Sequence, residues 1–281
     1  MHPELEVTVA EQVLNGIHLP PCPAVLMAVM KEVRSPDVDM GRIARLVEQD
    51  IGLSAPMLKL ANSPFFRLRS KVSSIQQAVT VLGLKNTVNL LSNVALRANV
   101  VPDFPGMDEF WNRSSLMSLA ASGIAAQIPG MSRDDAYTVA LFHNCGIPVL
   151  MQKYPDYLQN IDEMVRISGN VCTAESTCYS TTHAVVGSLL ARNWLLPAEM
   201  CRAILHHHDP TIFSSITDQA SIEICNWVGL IHAAEYIVDS YLHFPNESWA
   251  TWQPQVLKHL QFTKMEFTDL CSDVVSVLNG D

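Results

Sequence analysis

Chemistry in this sequence starts at Ala140-Leu-Phe-His143-Asn144-Cys145-Gly146-Ile-Pro148, where an apolar run ends in a histidine, an amide, a thiol and a helix break. An imidazole in that setting either ligates a metal or is a buried ring satisfied by a nearby carbonyl. Cys145 invites a nucleophile reading, but no base is demonstrable beside it, and a buried inert thiol is the expected state. Charge is the second chemical feature. Residues 51–102 contain no Asp or Glu, while Lys59, Arg67, Arg69, Lys71, Lys85 and Arg97 sum to +6; residues 201–281 hold three basic and ten acidic residues, a sum of −7. Either these fields balance within the molecule or across a homodimer, or Arg67-Leu-Arg69-Ser-Lys71 forms a site for an anion or an acidic partner.

The whole chain carries −10, which opposes general nucleic-acid binding. Apolar residues make up 48% and charged residues 16%, a balance that gives an extensive core and leaves apolar surface for a partner to cover. No stretch reaches the roughly 18 apolar residues of a membrane span. The start, Met-His-Pro-Glu-Leu-Glu, lacks the basic-then-apolar pattern of an export signal. The seven cysteines are scattered and form no C-x-x-C, as expected of reduced thiols in a cytoplasmic protein.

The elements that must position these residues read as helices throughout. Pro23 opens one with an apolar stripe at Val25, Leu26, Val29, Met30 and Val33, and Asp39 caps the next. Ser54 is the expected cap of a third, leaving Pro56 in its first turn. Ser74 caps a fourth that ends at Gly83, and 85–99 forms a further amphipathic helix. Val101-Pro-Asp-Phe-Pro-Gly106 marks the best boundary. Beyond it a helix is expected over 108–127, and Ser132 with Asp135 caps the helix that carries His143. Thr182, Pro197 and the Thr263–Glu266 capping box open later helices, and 216–241 forms a long one. Residues 169–181 are polar and weakly patterned, which predicts a loop or lid. Trp111, Trp194 and Trp227 are expected in the core. The fold class is all-α.

Several of these motifs occur in a familiar order. Leu19-Pro-Pro-Cys-Pro23, Asp50 before Leu53-Ser54, Leu60-Ala-Asn-Ser63, Val72-Ser-Ser-Ile-Gln-Gln-Ala78 and Leu82-Gly-Leu84 resemble the HD-related output domain, HDOD. Phe110-Trp111, 140–146, His183 with Val186-Gly187, Trp194 to Pro197 and His206-His-His-Asp-Pro210 continue the resemblance, which covers about 15–240. It implies a bacterial, all-helical signal-transduction module related to HD-type metal-dependent phosphohydrolases. In those hydrolases a His-Asp doublet, with a His and a carboxylate from distant helices, holds metal that activates water.

This chain departs from that pattern. The doublet reads His143-Asn144, and an amide is neutral and cannot bridge two cations as a carboxylate does. The family's first histidine aligns with Arg113, which is always charged and binds no cation. Arg113 is expected as a helix-surface residue or an intramolecular partner for Glu235, or as a clasp for phosphate. The late carboxylate falls at Glu235. His183 resembles an additional metal histidine of relatives that cleave cyclic dinucleotides, and His206-His207 resembles their His-His pair. Successive helical residues diverge by about 100°, so one or two of His206, His207 and His208 can enter one pocket, His207 foremost.

The expectation is therefore a regulatory module with an N-terminal helical bundle (1–104) packed on an HD-like lobe (105–281), and with no resident cofactor. It acts on a signalling protein or a small ligand such as a nucleotide. The alternative is a metal-dependent phosphohydrolase of a nucleotide or cyclic dinucleotide. Its divalent ion (Zn, Fe, Mn or Ni) would be held by His143, His183, His207 and Glu235, with Asn144 beside them and Arg67, Arg69 and Lys71 near the phosphate.

Overall fold

The computed structural model describes residues 16–62, 70–100, 104–214, 216–246 and 248–279, and among these it contains helices and no strand. Local capping chemistry sets the first elements. Leu26 and Val29 bury the inner face of α1 (Ala24–Val33), and Asp39 accepts from Gly41 N and Arg42 N to open α2 (Met40–Glu48). The next helix, α3 (Ile51–Ala61), begins earlier than its serine suggests: Asp50, not Ser54, is the cap, accepting from Leu53 N at 3.2 Å. Pro56 therefore lies inside the helix rather than in its first turn. A carboxylate preceding an Ile-Gly-Leu run outcompetes a serine already four residues into it.

Ser74 caps α4 (Ile75–Asn99) through Gln77 N. Gly83 (φ 75°) breaks this helix in two, a left-handed conformation that costs glycine little. The second half of α4 then packs against α6 (Arg133–Phe142). Polar groups pin this seam: Asn93 donates to Ser115 Oγ at 3.0 Å and to Tyr137 Oη at 3.3 Å, and Lys85 pairs with Asp134 at 3.0 Å. At the chain's start, Trp194 donates its indole N–H to Pro20 O at 3.0 Å. One apolar core runs through both halves, and Trp111, Trp194 and Trp227 all lie in it.

The second half is built on α5 (Met107–Ala125), which lies against α6, α12 (Gln219–Tyr241) and α14 (Lys264–Asn279). Around them stand α7 (Gly146–Lys153), α8 (Tyr157–Ser168), α9 (Val171–Tyr179), α10 (His183–Asn193), α11 (Ala198–His206) and α13 (Trp249–His259). The loop or lid expected at 169–181 is a helix. Asn170 caps α9 by accepting from Thr173 N at 3.0 Å, and Ser180 ends it with a left-handed φ of 56°. Its buried residues are Ala174 and Glu175, so the face it buries is partly ionic and leaves no apolar stripe to read.

Candidate metal centre

His143 is the C-cap of α6, one turn before α7 begins. Gly146 places it. A methyl group there would meet His183 O at 2.0 Å and Gly187 N at 2.7 Å, so α7 crosses the start of α10 backbone on backbone. Such an approach requires glycine, and it fixes His143 and His183 relative to each other. Cys145 is buried in the same crossing, 3.9 Å from Gly187 O, and burial pushes its thiol up, which removes it as a nucleophile.

Three imidazoles are anchored through Nδ1. His143 Nδ1 lies 2.6 Å from Ala140 O, His207 Nδ1 lies 2.6 Å from Ile204 O, and His183 Nδ1 lies 2.8 Å from the Glu175 carboxylate. An acceptor at Nδ1 puts the proton there, so each Nε2 carries a free lone pair. Those of His183 and His207 meet. His183 Nε2 is 3.3 Å from His207 Nε2 and 3.0 Å from His208 Nε2. His143 Nε2 is buried with no hydrogen-bond partner, its contact with Glu235 Oε1 at 3.7 Å being too long for one. If His208 donates to His183, His207 Nε2 faces the His183 ring and His143 Nε2 faces Glu235, each without a donor. A cation satisfies such a set, and a carbonyl or carboxylate behind each ring is the outer arrangement that metal-binding histidines use.

Burial, with the neighbouring rings, holds His207 well below the ordinary histidine value and lowers His208 to about 3. Both are therefore neutral and able to ligate at neutral pH. Glu235 completes the rim. Burial would raise its carboxyl, but His143 and His232 outweigh it and hold the group well below the usual carboxylate range. His232 Nδ1 is 3.1 Å from Glu235 Oε2, its Nε2 is 2.6 Å from His207 O, and the ring stacks on Trp252 at 3.6 Å.

The structure thus gathers His143, His183, His207 and Glu235 into one buried region, with His183 Nε2 and His207 Nε2 in contact at 3.3 Å and His143 Nε2 and Glu235 Oε1 at 3.7 Å. Asn144 sits half-buried in the turn between α6 and α7, and no hydrogen bond joins its amide to the cluster among the described residues. Arg113 does not meet Glu235: its Nε and Nη2 donate to Asp239 Oδ1 at 3.0 and 2.7 Å, while Asn246 Nδ2 donates to Oδ2 at 2.8 Å. Residues 235 and 239 are one helical turn apart on one face, so sequence spacing alone did not separate the two carboxylates. Lys71 is exposed before α4, and Arg67 and Arg69 lie outside the described residues.

Glu175 and Cys172 were missed, and His208 was ranked behind His207. Glu175 is fully buried and accepts from Tyr157 Oη, from His183 N at 2.9 Å and from His183 Nδ1. His208 joins His207 because α11 ends at His206, and beyond a helix end the 100° rule no longer separates neighbours. Cys172, on α9, lies with His183 and His208 in a group whose donor atoms are all within 4.8 Å of one another. Burial pushes its thiol up to about 12. The signal that could have found Glu175 was an acidic residue eight positions before a capped histidine helix.

Comparison with known proteins fits this architecture. A protein of Shewanella amazonensis SB2B, provisionally assigned as a phosphohydrolase, superposes with a TM-score of 0.74 at 20% identity, covering 96% of this chain and 94% of that one. An HDOD domain protein of Geobacter sulfurreducens gives 0.71 at 23% identity, covering 99% and 97%. At these identities the likeness carries the fold alone. In sequence, an uncharacterized protein of Treponema pallidum (strain Nichols) is 28% identical over 68% of this chain and 38% of its own length. The cyclic di-GMP phosphodiesterase CdgJ of Vibrio cholerae is 35% identical over 26% of this chain and 17% of its own. The chain therefore spans well under two thirds of either curated relative. Residues 19–210 match the HDOD domain. With the fold, the motif order and that match in agreement, the chain belongs to the HDOD domain family.

Proposed function

We propose that this chain is a regulatory HDOD unit that works by binding a signalling protein or a small ligand rather than by cleaving phosphodiesters. The observation that carries this reading is the Arg113–Asp239 pair. Where the hydrolase-like pattern needs a neutral ligand from α5, this chain has a permanent cation whose fork is engaged by a carboxylate. The same substitution logic applies at Asn144, which cannot bridge two ions. The histidine cluster would offer one divalent transition ion the Nε2 of His183, with His207 and His143 beside it and Glu235 at its rim. Such an ion, when bound, supplies Lewis acidity and structural cross-linking between α6, α10 and α11.

The unit divides into a bundle of residues 1–104 and a lobe of residues 105–281, and the seam between them offers the binding place. A cavity of about 840 Å³ opens there beside the Gly83 break, lined by Lys85, Asn86, Asn89, Arg133, Asp134 and Tyr137. Amides, a phenol and charges of both signs suit a polar ligand or a polar peptide segment. Among the described residues no helix is long and apolar enough to cross a membrane.

One observation favours the second reading, metal-dependent hydrolysis of a nucleotide or cyclic dinucleotide: the unpartnered Nε2 of His143 beside Glu235 is what a water-activating ion would require. Loading the chain with manganese, iron, zinc or nickel and assaying cyclic dinucleotide and nucleotide hydrolysis separates the two. The regulatory reading expects turnover no greater than that of a His183→Ala, His207→Ala variant. Metal-dependent turnover that the double variant loses would replace it with the hydrolase.

A further inference from the structure

One face of α9 reaches the histidine cluster twice. Cys172 and Glu175 are three residues apart and share that face. Glu175 takes the Nδ1–H of His183, which leaves Nε2 as the nitrogen able to meet an ion, 3.0 Å from His208 Nε2. The Cys172 sulfur completes a group of three donors, all within 4.8 Å of one another, among the described residues. The geometry points to a mixed sulfur–nitrogen metal site built from Cys172, His183 and His208, selective for a divalent ion of the zinc class over magnesium or manganese.

This rests on the reading that the histidine cluster can hold an ion; it seats that same single ion on His183 with Cys172 and His208 as its partners, and it adds a ligand type that the hydrolase-like pattern lacks. Thiolate and imidazole favour zinc, cobalt and nickel, whereas magnesium and manganese favour carboxylate and water oxygens. On binding, the Cys172 thiol gives its proton to solvent and its sulfur lone pair to the ion, with no change of oxidation state. Cys172 is only half-buried, so both ion and proton have a route. The arrangement also gives α9 a purpose beyond packing. The helix buries little apolar surface, yet it supplies the carboxylate behind His183 and a sulfur donor close to it, so ion binding would cross-link α9 to α10 and to the end of α11.

The test is cobalt(II) titration of the full chain purified free of metal. We expect a sulfur-to-cobalt charge-transfer absorption that saturates at one equivalent, disappears in Cys172→Ser and persists in Cys178→Ser, whose exposed thiol lies on the same helix. Cobalt affinity should fall at least about tenfold in Cys172→Ser, the lower end of what losing even an outer partner costs. A measurement on the native chain guards against a misfolded variant: zinc should slow iodoacetamide modification of Cys172 but not of Cys178, read by peptide mass spectrometry. Charge transfer that survives Cys172→Ser, or unslowed alkylation of Cys172 at saturating zinc, overturns the proposal. Cobalt bound without charge transfer overturns it too, while leaving a nitrogen-only cluster standing. If the native chain binds neither cobalt nor zinc, the proposal and the reading beneath it fall together.

Discussion

The contact at Gly146 is the sharpest mechanical constraint on the cluster, and Gly146→Ala tests it. The added Cβ would sit 2.0 Å from His183 O and 2.7 Å from Gly187 N, both backbone atoms that no rotamer change can move. Restoring an ordinary contact requires α7 and α10 to part by about 1.4 Å, the shortfall from 3.4 Å. Overpacking of this kind costs about 1–3 kcal/mol and occasionally more, and a backbone-on-backbone clash belongs at the upper end. For a chain of this size each kcal/mol lowers Tm by about 2–4 °C, so Gly146→Ala should melt roughly 5–12 °C below the native chain by circular dichroism. The displacement falls between His143 and His183, so zinc affinity measured by competition with a chromophoric chelator should drop as well. Gly187→Ala is the internal control, since its nearest neighbours lie at 3.3–3.6 Å and two of them are side chains; its loss should be clearly smaller. Native-like melting and unchanged zinc affinity in Gly146→Ala would refute the claim that this crossing sets the site.

The remaining predictions concern the groups around the cluster. Glu175→Gln keeps the shape but sets an amide N–H against a donor, so it should cost about 1–3 kcal/mol in urea unfolding and weaken metal binding about 10–100-fold; unchanged values in both assays would remove Glu175 from its role behind His183. His208 is depressed from an ordinary value of 6.5 to about 3, so between those limits the unfolded chain holds a proton that the folded chain refuses. Stability of the metal-free protein should accordingly fall as pH drops below 6.5, with His208 contributing up to about 1.4 kcal/mol per pH unit. His208→Asn should flatten that slope, and an unaltered slope would contradict the assignment. Arg113→His combined with Asn144→Asp restores the hydrolase-like donors, and calorimetric titration should show a gain in manganese affinity; no gain would mean that Asp239 and its surroundings no longer hold ligand geometry.

Legibility in the sequence followed the range of the interactions involved. Caps are local, so Asp39, Ser74, Ser132 and Thr182 could be read directly, and the Thr263–Glu266 box closes reciprocally at 2.8 and 3.2 Å as its spacing predicts. Asp50 was missed because Ser54 offered a competing local signal. The α9 helix was missed for a different reason: it is held by Glu175 on Tyr157 and His183, a tertiary ionic contact that leaves no periodic trace. Histidine convergence was legible in part. Motif order indicated His143, His183 and His207, but His208 depends on where α11 stops, and Cys172 depends on a helix that polarity disguised.

The same distinction bears on whether the cluster signals or cuts. Hydrolysis by two ions needs an oxygen ligand that bridges, and the position able to supply it carries Asn144, while Arg113 takes the place of a nitrogen ligand. Asp239, the carboxylate that remains on α12 one turn beyond Glu235, is already bound on both oxygens by Arg113 and Asn246. Recruiting it to an ion would leave a guanidinium without its partner, a loss that only a comparably strong new contact offsets. The nitrogen donors meet no such competition. Their Nδ1 protons are committed to carbonyls and to Glu175, and the Nε2 lone pairs of His183 and His207 oppose each other at 3.3 Å. A single ion relieves that opposition and ties α6, α10 and α11 together, whereas a second ion has no oxygen left to claim. The chemistry present therefore favours a site that changes how helices are held over one that turns over substrate.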